Sequence, residues 1–335
     1  METKDLEAAI QALSSHKKAW KFVEAFSHEL LRGSYTDSYD VANQTAEVLK
    51  VVAVATCMAG LKNVRRSLRA VGRYLAGLGG KYTYVIGNVT RRVLKLVQET
   101  LDDPDEEFSI QENTKEALSL FLDEFNQTRD TMVTNAAVAE QIHSAEVILT
   151  FGRSATVERL LLEAAKKRTF EVVIAENSPR GDGHGLAKVL ASEAKLDVTL
   201  IPDSAIFAVM PRVHKVIIGA EAVLANGSLI APAGTLLVTT VARHYSKPVV
   251  SCAELYKVTP LFPLSTMADS KLLHPATILN EEIALEIPNV NIVNPANDLV
   301  PAEMISLLLS DNGGCSPVVV HRLVKQLYDE VEVPL

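Results

Sequence analysis

The chain has 335 residues, 48% hydrophobic and 22% charged, with a formal net charge of -8. This suits a soluble globular protein large enough for two domains, and the acidic surplus argues against generic nucleic-acid binding, which shows as basic excess. Cys57, Cys252 and Cys315 stand far apart with no metal-ligand or CxxC spacing, as expected of reduced thiols. The start METKDLEAAI has no apolar signal core, and no run of 18 apolar residues follows. A cytoplasmic protein without membrane contact is expected.

Up to residue 144 the periodicity is helical. Helices are expected at Leu6–Ser14, Lys17–Arg32, Tyr39–Ala59, Lys62–Leu78, Asn88–Thr100 and Thr114–His143, with Asn88 and Thr114 as caps and a break at Gly77, Gly79 and Gly80. Leu118, Phe121, Leu122 and Phe125 recur at helical spacing and form a core stripe. Nine basic residues and no acid occupy Lys62 to Lys95, and a strongly acidic stretch, Glu99 to Glu124, follows, its LDDPDEEF segment reading as an exposed loop. Two mutually neutralising solvated faces and a docking surface for an acidic protein both fit this pattern. Nucleic acid fits less well, because no aromatic residues interleave with Arg91, Arg92 and Lys95.

From residue 145 to the end the pattern becomes α/β. Apolar runs at Val147–Phe151, Glu171–Ala175, Val198–Ile201, Val216–Gly219 and Val249–Cys252 alternate with helical segments at Thr156–Lys167, Gly185–Lys195, Ile206–Met210 and Thr235–Tyr245. Such alternation predicts a parallel, Rossmann-like sheet with helices on both faces. Asn226-Gly227 is expected to turn a tight hairpin just beyond a buried strand. A last strand at Val290–Val293, a helix at Pro301–Leu309 and a tail helix over Pro317–Tyr328, packing through Val318, His321, Leu323 and Leu327, complete the reading.

The strand ends offer little chemistry. Thr150-Phe151-Gly152-Arg153-Ser154 has neither GxGxxG nor a Walker lysine, and Ser154 reads as a helix N-cap. The loop ENSPRGDGHG, Glu176 to Gly185, can present backbone amides to a phosphate or simply make a turn. His184 and Glu221 are the titratable residues that could meet above the sheet as acid and base; with no nucleophile or cation beside it, Glu221 reads instead as a carboxylate bonded to neighbouring amides or to a partner chain. His143, His214 and His244 have no metal spacing, and no cofactor is expected.

TFGRSATVERLL, ENSPRGDGHG, VHKVIIGAEAVLANGSLIAPAGT and PAEMISLLLSD, with NVTRRVLKLVQE and EQIHSAEVILTFG upstream, resemble the family that joins the alpha, beta and delta regulatory subunits of translation initiation factor 2B to sugar-phosphate isomerases. The resemblance covers almost the whole chain and is strongest to the beta branch. It implies a helical domain over 1–144 and a Rossmann-like domain over 145–335. The isomerases carry a cysteine, an arginine, an aspartate and an Asn-Lys pair where this chain has Gly152, Ser178, Glu221, and Ala231 with Pro232. A glycine relays no proton and a serine is no guanidinium clamp, so the resemblance implies a degenerate pocket in a non-catalytic regulatory subunit.

The partners it implies are delta-like and other subunits of the exchange complex, and translation initiation factor 2 through its alpha subunit, with no direct nucleic acid. His143, Val147, Val173, Thr199 and Ile201 are the implied subunit-interface positions. Arg65, Arg66, Arg69, Arg91, Arg92 and Lys95 become candidates for docking the factor. A surviving isomerase acting on methylthioribose 1-phosphate or ribose 1,5-bisphosphate, and a sensor that binds a sugar phosphate or nucleotide without turnover, are the rival readings.

Overall fold

The computed structural model describes residues 2–57, 60–101, 110–134, 141–194, 196–263, 271–280, 283 and 289–329. The chain forms two compact units: Met1–Thr131 with Tyr256–Pro260 and Arg322–Leu335, and Met132–Leu255 with Leu261–His321.

The first unit is helical: α1 (Glu2–Ala12), α2 (Lys17–Leu31), α3 (Ser38–Thr56), α4 (Leu61–Leu78), α5 (Thr83–Leu101) and α6 (Ile110–Thr134). Each helix follows its apolar spacing. On α4, Val64, Leu68, Val71 and Leu75 are buried at intervals of three and four, and the arginines lie off that stripe. The central helix α3 is buried around most of its circumference, and Asp37 caps it by accepting from Tyr39 N at 3.1 Å. Helices α4 and α5 approach closely at Gly72, where a Cβ would lie 2.3 Å from Thr90 Cγ2.

The expected stripe on α6 is present. Leu118, Leu122 and Phe125 are buried, with Phe125 stacked on Tyr39 at 5.3 Å. The expected caps are not. Asn88 lies inside α5, its Nδ2 donating to the Tyr256 carbonyl at 3.0 Å, and Thr114 is buried in the second turn of α6. His143 follows in a turn, outside any helix. LDDPDEEF after Leu101 lies outside the described residues.

The C-terminal helix α11 (Val320–Leu327) ends on Tyr328, which is buried and donates its hydroxyl to the Val258 carbonyl at 2.5 Å. Arg91, 5% exposed, faces Tyr328, and burial pushes its pKa down to about 10, so it stays charged at neutral pH. Val320 and Tyr328 do the packing expected of Val318, which is 77% exposed. Tyr328→Phe leaves a buried carbonyl unsatisfied and is expected to cost about 1–2 kcal/mol in urea unfolding.

The second unit is built on a seven-stranded sheet: β1 (Val147–Phe151), β2 (Glu171–Ala175), β3 (Asp197–Ile201), β4 (Lys215–Gly219), β7 (Val249–Cys252), β9 (Leu307–Ser310) and β10 (Gly313–Cys315), in the order β10-β9-β7-β4-β1-β2-β3. Only β10 is antiparallel to its neighbour. Helices α7 (Ala155–Ala165), α8 (Asp182–Glu193), α9 (Ile206–Val209) and α10 (Thr235–His244) connect the strands. Ile148, Val172, Ile174, Ile217 and Val250 share a core with Val157, Leu161, Leu186 and Leu190 of α7 and α8. Ser154 caps α7, as its sequence position suggests.

Beyond β4 the hairpin β5 (Ala222–Val223) and β6 (Leu229–Pro232) joins β8 (Asn297–Val300) in a separate three-stranded antiparallel sheet. Its turn is looser than a two-residue loop. Gly227 N donates to Leu224 O at 2.8 Å, and at this dipeptide only Gly227 takes a positive φ, +83°. Asn226 instead uses its side chain, accepting from Ser228 N at 3.1 Å.

The C-terminal expectation fails here. Val290–Val293 forms no strand, and Pro301–Leu309 divides into a 3-10 turn at Ala302–Met304 and the strand β9. A run as short as Leu307–Leu309 has no helical period to declare, and the adjacent sheet decides its conformation.

Candidate functional site

The strand order reverses between β1 and β4, the switch point beyond whose carboxyl ends open α/β sheets place their sites. β1 leads to Gly152, β2 to Asn177 and Ser178, β4 to Glu221, and β6 to Pro232 and Gly234. The turns interlock. Gly152 sits at φ +60°, and a Cβ there would lie 3.0 Å from Asn177 Nδ2. A Cβ on Gly219 would lie 2.3 Å from Ser154 Oγ, and one on Gly234 (φ +101°) 2.4 Å from the Phe151 ring. These glycines let neighbouring turns close over the strand ends. Glu221 is half-buried and held in place by its N–H, which donates to Ile230 O at 2.8 Å.

Two carboxylates, unanticipated from the sequence, occupy the amides that an anion would need. Asp203 accepts from Asn177 N at 3.0 Å and Ser178 N at 2.7 Å in the glycine-rich loop. Asp298 accepts from Gly234 N at 2.8 Å and Leu236 N at 2.9 Å at the start of α10. A helix N-terminus attracts an anion through such groups; at α10 Asp298 supplies it, while Asp203 binds loop amides that precede the N-cap of α8, Gly181. The loop is therefore a braced turn. His184 pairs with Glu176 (Nε2 to Oε2, 3.2 Å), so the acid–base pairing with Glu221, the less favoured of the two readings, is not the one formed. Among the described residues no group of three or more His, Cys, Asp or Glu is placed to hold a metal ion.

A buried polar cluster lies at the end of β7. Glu254, 2% exposed, accepts from Thr156 Oγ1 at 2.8 Å and from Arg159 Nη2 at 3.3 Å. Nearby, Asp311 accepts from Leu255 N at 2.8 Å, and its pKa is raised, first by burial and further by Glu254. These groups fasten α7 to the strand ends.

The expected interface residues separate by burial. Val173 on β2 has no exposed surface and Ile201 at the end of β3 is buried, so both are covered within the chain itself. His143 is exposed, and Val147 is half-buried with its N–H donating to His214 Nδ1 at 3.0 Å. Thr199, on the edge strand β3, is half-buried and donates to Glu171 at 3.3 Å.

The six basic docking candidates also separate. Arg91 is buried, Arg92 donates to Leu327 O at 3.2 Å, and Lys95 donates to Gln326 O at 2.5 Å, so these three secure α11. Arg65, Arg66 and Arg69 line a different place, a groove along α4. Counting charges in sequence merged the two groups, because it carries no information on burial.

The α/β unit is thus a doubly wound scaffold with a three-stranded antiparallel addition at its carboxyl edge, its anion-binding positions filled from within. The model of the Initiation factor 2 subunit family matches residues 35–317, and the chain belongs to that family. It is 31% identical to translation initiation factor eIF2B subunit beta of Dictyostelium discoideum, over 92% of this chain and 96% of that one. In structure it resembles the tetrameric eIF2B-beta2-delta2 complex from Chaetomium thermophilum, with a TM-score of 0.74, 25% identity, and 91% of this chain and 94% of that chain covered. It also shares its fold with 5-methylthioribose 1-phosphate isomerase from Pyrococcus horikoshii, with a TM-score of 0.62, 21% identity, and 91% and 87% covered.

Proposed function

We propose that the chain is a beta-type, non-catalytic regulatory subunit of the guanine-nucleotide exchange complex that acts on translation initiation factor 2. Its tasks are assembly and the response to phosphorylated factor. The observation that carries the non-catalytic part is that Asp203 and Asp298 already take backbone amides at the strand ends. Asp203 takes two amides of the loop that precedes α8 and Asp298 takes two at the start of α10, and a phosphate arriving there would meet negative charge. Gly152, Ser178, Glu221 and Pro232 supply neither the thiol, nor the guanidinium, nor the Asn-Lys pair of the isomerases.

Assembly with a delta-type subunit rests on the likeness to a beta subunit over nearly its full length and to a complex containing both subunit types. His143, Val147 and Thr199 remain as proposed contacts. The alpha subunit of the factor is the proposed substrate-side partner.

Native purification in mild salt, with the mass measured by light scattering, tests the assembly. The expected result is a particle larger than any homodimer of the chain and containing a delta-type subunit, which His143→Asp with Thr199→Asp weakens at least tenfold. A homo-oligomer without other subunits overturns the proposal.

A further inference from the structure

No further inference is drawn: the strongest candidate, the exposed aromatic patch where Phe207 of α9 packs on His244 and Tyr245 at the end of α10, is an unpartnered face of the α/β unit, and nothing in the structure shows what covers it.

Discussion

Arg159→Ala should lower the stability of the α/β unit by about 3 kcal/mol, near the low end of what losing one partner of a buried ion pair costs. Glu254 is 2% exposed, and Arg159 lies 3.3 Å from its carboxylate. Removing the guanidinium leaves the charge with the Thr156 hydroxyl as its described hydrogen-bond donor and with little access to water. Glu254→Gln in the Arg159→Ala background should recover part of the loss, because a neutral amide needs no counter-charge. A double variant no more stable than Arg159→Ala would show that packing of the arginine stem matters more. The single tryptophan, Trp20, sits in the helical unit. Urea unfolding of the α/β unit should therefore be followed by hydrogen exchange in β7, not by fluorescence.

Gly234→Ala should cost about as much for a different reason. The residue takes φ +101°, and its added Cβ would lie 2.4 Å from the Phe151 ring. Left-handed strain contributes roughly 1–2 kcal/mol, and forcing a methyl group into a packed contact adds about 1–3 kcal/mol. The ring cannot simply withdraw, since Phe151 is itself buried at the end of β1. Combining the change with Phe151→Leu should cost less than the sum of the two single changes, and the coupling measures how tightly the hairpin end closes over the strand. Strict additivity would mean that the ring already yields and that backbone strain is the whole effect.

The sequence disclosed elements in proportion to the length of their periodicity. Helices α2 to α4 repeat a buried stripe over four or five turns, and β1, β2, β4 and β7 are unbroken apolar runs. The C-terminal strands are three or four residues each, and the partners of β8 and β9, the strands β6 and β7, are distant in sequence.

The crevice was legible only in what it lacks. Its occupants act across long separations: Asp203 reaches Ser178 from 25 residues away, and Asp298 reaches Gly234 from 64. No local pattern marks either aspartate as a cap for another segment's amides. Asn88 shows the converse. It has the residue type of a cap, yet it sits mid-helix because a buried carbonyl at Tyr256 takes its amide.

Nucleotide exchange on translation initiation factor 2 tests the central claim most directly. GDP release should be timed for the exchange complex assembled with and without this chain, using both unphosphorylated and phosphorylated factor, alongside an isomerase assay of the chain by itself. The account predicts that the chain alone neither releases GDP nor converts a ribose phosphate, and that the complex lacking it loses its sensitivity to factor phosphorylation. Turnover of a sugar phosphate by the pure chain, or an unchanged phosphorylation response without it, would contradict the account.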